Sequence, residues 1–343
     1  MTAPGAVATR GLRALSAVLG VYKRVVTTPA LSRPNPVRLH GFDIDVVVAT
    51  VSPEAEDVVS LTLARPGGAA LPSWRPGSHI DVFLNSGRQR QYSLCGDPRD
   101  RRRYRIAVRR IADGGGGSLE MHSLRPGDRL RIRGPRNAFT YVESAPSYLF
   151  LAAGIGITPL LPMARAAGER GRLVYLGRSR TTMPFLGELP AGAVVRPDDE
   201  SGLADIPALL ADAAPGAAMY VCGPPPVLEA AQRHAFALNP TGSLHTERFS
   251  ALPVVDGRAF DLTLARSGHT VRVGAEETAL DAIRRVRPGV VYSCRQGFCG
   301  TCKAGVLAGA VDHRDRLLPE DERTDRMLTC VSRAAGDALV LDL

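Results

Sequence analysis

Cys294, Cys299 and Cys302 stand in a C-x4-C-x2-C run, and Cys330 follows 28 positions after Cys302. Four thiolates at this spacing suit a [2Fe-2S] cluster. The tight loop supplies three ligands, and a later strand brings the fourth. Gly297 and Gly300 let backbone amides approach the sulfides and tune the potential. Disulfides and a zinc site are the competing readings. Zinc sites usually pair C-x2-C with a second short pair, which is missing here. Of the six Cys (95, 222, 294, 299, 302 and 330), four crowd into the last fifty residues. No signal-peptide pattern opens the chain, so a reducing cytosol and a cluster fit better than a disulfide framework.

Other motifs concern phosphate and ring binding. In Arg90-Gln91-Tyr92-Ser93-Leu94 an Arg answers a phosphate, a Tyr ring packs on an isoalloxazine, and a Ser hydroxyl can reach flavin N5. A plain strand with a core Tyr is the alternative. Gly114–Gly117 and Ser118 precede a short helical stretch, Leu119–Leu124, and Gly amides there make an anion site or merely a flexible loop. Ser118 would cap that helix or bind phosphate. Gly154-Ile155-Gly156-Ile157-Thr158-Pro159 lies between a strand and a helix, where glycines let a dinucleotide's phosphates approach the backbone. It is not G-x-G-x-x-G. Arg90-Gln91-Tyr92-Ser93, Gly154–Pro159 and Cys222-Gly223-Pro224 resemble the R-x-Y-S, G-x-G-x-T-P and C-G-P motifs of the ferredoxin-reductase superfamily. Cys222 alone would be a buried small hydrophobe. Gly177-Arg178-Ser179-Arg180 follows the second strand of this block, where adenine-ribose recognition is expected. Its two Arg and a Ser suit a 2′-phosphate, or are simply exposed.

These residues need a scaffold. The chain has 343 residues, 45% hydrophobic and 22% charged, which excludes wholesale disorder and suggests two or three domains. No run of 18 apolar residues is present, so no transmembrane helix is expected. Net charge is +9, but Arg10, Arg13, Lys23, Arg24, Arg33 and Arg38 lie in residues 1–42, which contain no acid. The rest is near balance, which argues against nucleic-acid binding. Residues 1–40 read as a basic extension with a short amphipathic helix near 8–26. Residues 41–143 hold short strands at 44–48, 58–63, 80–84, 104–108 and 130–132, as in an antiparallel β-barrel. In residues 144–250, strands at 148–152, 173–176 and 219–222 alternate with helices, the pattern of an α/β domain with a parallel sheet. Residues 251–343 begin with a hairpin at 260–264 and 270–273 and a helix at 278–286, before the Cys loop.

Tyr292–Cys302 strongly resembles the loop of plant-type ferredoxins, which are β-grasp domains. The order flavin, nucleotide, cluster resembles the phthalate dioxygenase reductase and vanillate demethylase reductase family over residues 42–343. The chain departs from it in the phosphate loop, where relatives often carry an Arg among the glycines. The resemblance implies FMN instead of FAD and points to NADH as donor, whereas the chemistry of Arg178-Ser179-Arg180 points to NADPH. It implies flavin and nucleotide contacts from Arg90, Gln91, Tyr92, Ser93, Gly116, Gly117, Ser118, Gly154, Gly156, Thr158, Pro159, Cys222, Gly223, Pro224 and Phe249, to which the residues' own chemistry adds Arg178, Ser179 and Arg180. Ser93, Cys222 and Phe249 would stand at the reacting rings, with Cys294, Cys299, Cys302 and Cys330 on the cluster. A hydride carries two electrons and a [2Fe-2S] cluster takes one, and a flavin between them resolves the mismatch. The expected protein is a monomeric cytoplasmic reductase feeding a separate oxygenase, either Rieske non-haem iron or haem-thiolate. A self-contained quinone or ferric reductase and a redox sensor are the alternatives.

Overall fold

The structure, a computed structural model, describes residues 43–112 and 116–343. The expected helix at 8–26, and Gly114 and Gly115 of the glycine run, lie outside them.

β1 (Asp43–Ala55), β2 (Val58–Ala64), β3 (Ser78–Phe83), β4 (Gln89–Ser93), β5 (Arg103–Arg109) and β6 (Arg129–Asn137) form an antiparallel sheet in the order β4-β3-β6-β1-β2-β5. Its end strands meet just past β4, where Cys95 N–H donates to the Arg105 carbonyl at 2.9 Å. Alternating residues such as Val46, Val48, Leu61, Leu63, Ile80 and Val82 fill the interior. The strand β4 carries the Arg90–Ser93 motif, so the plain-strand reading and the flavin reading describe the same residues. α1 (Gly117–Ser123) follows β5.

The second sheet is parallel, with β7 (Tyr148–Ala153), β8 (Gly171–Gly177), β9 (Val194–Pro197), β10 (Ala218–Cys222) and β11 (Ser243–Glu247) in the order β11-β10-β7-β8-β9. All six residues of β7 are buried, as expected of a central strand covered on both faces. The flanking helices include α2 (Ile157–Ala167), α3 (Ile206–Ala211) and α4 (Pro225–Leu238). Strand order reverses between β7 and β10, which opens a crevice at their carboxyl ends. Gly154 and Gly223 follow those two ends.

The third unit pairs β12 (Phe260–Leu264), β13 (His269–Val273), β14 (Lys303–Ala308), β16 (Arg326–Leu328) and β18 (Ala338–Leu341) in the order β13-β12-β18-β14-β16, with a small β15 (Val311–Asp312) and β17 (Arg333–Ala334) ladder. α5 (Ala279–Val286) packs Ala279, Ala282 and Ile283 into its core. Thr278 caps it, its hydroxyl accepting from Asp281 N–H at 3.1 Å.

The barrel and the α/β unit share a core in which Val58, Cys95, Ala107 and Phe139 meet Tyr148, Phe150 and Met163. Beside it, Arg105 bridges Glu54 (2.6 Å) and Glu188 (2.7 Å) and lies 4.5 Å from the Phe185 ring centroid. The nucleotide crevice is thus fixed relative to the barrel by packing and a partly buried ion cluster.

Candidate functional site

The cysteine loop joins α5 to β14. Arg295, Gly297 and Gly300 have φ of 57°, 77° and 74°, which turns the chain tightly. A Cβ on Gly297 would lie 2.7 Å from Val331 Cγ2, so the loop is packed against the residue next to Cys330. The sulfurs of Cys294, Cys299, Cys302 and Cys330 face one another, and Gln296 N–H donates to Cys294 Sγ at 3.4 Å. No disulfide joins them. The neighbouring thiols and the Gln296 and Phe298 amides hold the Cys294 thiol well below its usual range. Among the described residues no three His, Cys, Asp or Glu are grouped to hold a single metal ion. A two-iron cluster takes two thiolates per iron and needs no such group. Four converging sulfurs with amides turned toward them fit a [2Fe-2S] cluster.

All three units wall a cavity of about 370 Å³ that includes Tyr92, Ser93, Glu247, Phe249 and Gln296. Arg90 lies two residues before Tyr92 on the same face of β4. A Cβ on Gly117 would sit 2.3 Å from Arg90 Nε, and one on Gly116 would sit 3.3 Å from Arg88 Nη2. Two guanidiniums therefore converge on the glycine loop, and only glycine leaves room for them. This cradle fits a flavin phosphate. Gly116, at φ 78°, occupies the position before α1. Ser118 is not the cap: its hydroxyl accepts from Ile111 N–H (3.0 Å) and faces Ile111 O, closing the loop. If Arg90 holds the phosphate, Arg90→Ala should weaken flavin affinity roughly ten- to a hundredfold, as for the loss of a charge-assisted pair of about 1.5–3 kcal/mol. Titrating the apoprotein with flavin checks this, and unchanged affinity would remove Arg90 from the role.

Ser93 Oγ donates to Glu247 Oε2 at 3.3 Å. Burial pushes the Glu247 carboxyl up to about 8, against a smaller opposing effect of the Ser93 hydrogen bond. Glu247 therefore keeps its proton at neutral pH and loses it as pH rises through about 8. A flavin ring held in this cavity would then face an ionised carboxylate, which would disfavour the negative charge that hydride transfer brings. The rate of nicotinamide oxidation should thus fall about tenfold between pH 7 and pH 9, following the protonated fraction. Glu247→Gln should flatten that limb, and an unaltered profile in the variant would count against Glu247.

A second cavity, about 860 Å³, opens at the ends of β7, β8 and β10 and is lined by Gly154, Gly156, Arg178, Asp198, Gly223 and Phe249. Phe249 also lines the first cavity, so it stands where the two meet. The backbones at the crevice are in contact. A Cβ on Gly156 would lie 2.1 Å from Cys222 O, and one on Gly223 would lie 2.7 Å from Ala153 Cβ.

The structure brings Gln91, Tyr92, Ser93 and Phe249 to the first cavity and Gly154, Gly156, Arg178, Gly223, Pro224 and Phe249 to the second. It turns other predicted side chains elsewhere. Cys222 is fully buried in the core, its thiol raised by burial, so it acts at the crevice through its carbonyl and its packing. Thr158 donates to Ile155 O at 2.9 Å and Pro159 is buried; both shape the turn. Ser179 bonds Thr181 and Thr182. Arg180 makes a two-pronged pair with Glu200 at 2.8 and 3.0 Å. Gln91, at the wall of the first cavity, also joins barrel to cysteine loop: its Nε2 donates to Asp81 Oδ1 (3.0 Å) and Ser293 Oγ (2.5 Å). Gln89 Nε2 adds a bond to Tyr292 O at 2.7 Å, and Gln296 Nε2 one to Arg248 O at 2.5 Å.

Sequence reasoning missed Arg88, Glu247 and Asp198. Glu247 had one signal, as a lone acid at the end of the strand that closes the parallel sheet. Asp198 had none, because β9 carries it to the crevice from outside the β8 turn.

A family model for an oxidoreductase FAD-binding domain matches residues 46–141, and one for a 2Fe-2S iron-sulfur cluster binding domain matches residues 262–335. The putative toluene-4-sulfonate monooxygenase system reductase subunit of Comamonas testosteroni is 39% identical over 88% of this chain and 99% of its own. Phthalate dioxygenase reductase of Burkholderia cepacia is 34% identical over 88% and 98%. A solved phthalate dioxygenase reductase, described as a modular structure for electron transfer from pyridine nucleotides to [2Fe-2S], superposes with a TM-score of 0.68 at 34% identity over 88% of this chain and 98% of that one. An intact type IV self-sufficient cytochrome P450 monooxygenase has the same TM-score at 40% identity, over 93% of this chain and 44% of that one.

Proposed function

The chain belongs to the phthalate dioxygenase reductase family of flavin- and [2Fe-2S]-containing oxygenase reductases, and from that premise we propose how its residues divide the work. The protein is an NAD(P)H-dependent iron-sulfur flavoprotein oxidoreductase that passes electrons to an oxygenase. The flavin is FMN, held at the phosphate end by Arg88, Arg90 and the Gly116–Gly117 turn. The nicotinamide nucleotide enters the crevice at Gly154–Gly156 and Gly223, and Phe249 gives way to its ring. When bound, a flavin takes electrons from a nicotinamide as a pair and releases them singly to a [2Fe-2S] cluster. Everything else is positioning: Ser93 and Glu247 hold a neutral, hydrogen-bonded edge at the reacting atoms, and Gln89, Gln91 and Gln296 hold the cysteine loop against the same cavity.

One observation carries this reading: a single cavity is walled at once by the R-x-Y-S strand, the nucleotide unit's last strand and the cysteine loop. The acceptor is a separate oxygenase component, of the Rieske non-haem iron or haem-thiolate kind. We place the protein in the cytoplasm as a monomer. Among the described residues no helix is long and apolar enough to cross a membrane. The unit boundaries follow as 41–143 for flavin, 144–250 for nucleotide and 251–343 for cluster.

The test is stoichiometry and donor choice. One NADH should reduce two equivalents of a one-electron acceptor, and a ratio of one would sink the proposal. NADH and NADPH should differ in kcat/KM by less than about a hundredfold, under 3 kcal/mol. Arg180→Ala should move the balance toward NADH, because it frees the Glu200 carboxylate to repel a 2′-phosphate. An unmoved ratio would remove this segment from donor choice.

A further inference from the structure

Arg136 lies near the end of a strand of the flavin barrel, and its ion-pair partner Asp81 reaches the cysteine loop of another unit. A guanidinium placed beside this loop favours negative charge on its sulfurs. Arg136 is ion-paired with Asp81, which is fully buried. Asp81 Oδ1 accepts from Gln91 Nε2 at 3.0 Å and Ser293 Oγ at 3.3 Å, and Ser293 adjoins Cys294. Arg136 Nε is buried without a hydrogen-bond partner. Across the β3–β6 ladder Arg136 pairs with His79, which lines the flavin cavity and is itself buried. The cation therefore sits at the seam between the flavin cavity and the cluster ligands, fixed from behind by Asp81.

We propose that Arg136 is an electrostatic positioning residue for flavin-to-cluster electron transfer: its guanidinium, oriented by Asp81, stabilises the added negative charge on the Cys294–Cys299 side of the reduced cluster while the cysteine loop is seated on the barrel. The inference rests on the electron-carrier reading above. In the step concerned, one electron leaves the nicotinamide-reduced flavin and one arrives at the cluster, whose charge becomes one unit more negative. No bond to the protein forms or breaks.

The experiment is a spectroelectrochemical titration of the flavin- and cluster-loaded full chain, following both centres by absorbance and the reduced cluster by electron paramagnetic resonance. Arg136→Gln should lower the cluster potential relative to the flavin, shifting the electron's distribution about tenfold toward the flavin, equivalent to about 59 mV for a one-electron couple. Arg136→Lys should restore most of the shift. Asp81→Asn removes the charge that offsets Arg136 and should move the cluster potential upward. A loosened contact between units would instead move Arg136→Gln and Asp81→Asn in the same direction, without rescue by Lys. That pattern, or an unmoved potential in Arg136→Gln, would overturn the inference while leaving the electron-carrier reading intact. A native protein that binds neither flavin nor cluster would overturn both.

Discussion

Cys299→Ser should yield a protein without its cluster that still oxidises nicotinamide. The serine hydroxyl is a poor replacement for a thiolate on iron, and the other three cysteines alone do not complete a four-thiolate set. Electron delivery to a one-electron protein acceptor such as cytochrome c should fall by more than about a hundredfold, beyond the loss typical of an outer partner of a metal ligand. Hydride transfer to an artificial two-electron acceptor should change by no more than a factor of about two. The reason lies in the placement of contacts. The loop is seated by Gln89 on Tyr292 and Gln91 on Ser293, neither of them a cluster ligand. The phosphate cradle at Arg90 and Gly117 is built entirely within the barrel. Absorbance and electron paramagnetic resonance report the cluster, and flavin content and nicotinamide oxidation report the rest. Loss of flavin and of hydride transfer along with the cluster would mean that the units are not separable in this way.

Gly156→Ala should disable the nucleotide crevice while sparing both redox centres. The new Cβ would lie 2.1 Å from Cys222 O, 2.5 Å from Cys222 C and 3.0 Å from Gly223 N. These are backbone atoms at the end of β10 and cannot swing aside as a side-chain tip can. Accommodation must part the ends of β7 and β10, the edges between which a nucleotide's phosphates would lie. Overpacking of this kind costs about 1–3 kcal/mol. Taken from binding, that weakens nucleotide affinity roughly ten- to a hundredfold. Gly154→Ala is the control. Gly154 has φ 54° but nothing within 4 Å of its would-be Cβ, so only a left-handed backbone cost of about 1–2 kcal/mol applies. Nucleotide titration of both variants, with melting temperature as a check on folding, distinguishes the cases. Equal affinities for Gly156→Ala and the unaltered protein would show that the crevice does not bind where proposed.

Much of the site was legible because its chemistry is local in sequence. A C-x4-C-x2-C run must close on itself, so its ligand spacing is visible without a fold. The same holds for Gly154–Pro159, where strand, glycine turn and helix succeed one another within a dozen residues. Side-chain direction was not legible in that way. Ser118 and Thr158 belong to phosphate-loop motifs, but short hydroxyls take the nearest backbone group, and here those groups are Ile111 and Ile155. Arg180 stood in the right turn for a 2′-phosphate, yet Glu200 arrives from beyond β9 to occupy it.

The sequence by itself pointed to a flavin, a nicotinamide nucleotide and a [2Fe-2S] cluster, to the order of the three units and to the residues able to ligate iron, because these depend on residue type and short spacing. Only the tertiary structure decided which charges share the cavity walls. Asp81 and Ser293 are 212 positions apart, and Gln89 and Tyr292 are 203 apart, yet each pair is in hydrogen-bond contact. The parallel register that sets Cys222 beside Glu247 brings that acid to the end of β10 near Ser93 of another unit. No local pattern encodes such meetings. They follow from how the three sheets bury their apolar faces, and that packing makes Glu247 a proton-holding acid and sets the Arg136–Asp81 pair against the cysteine loop.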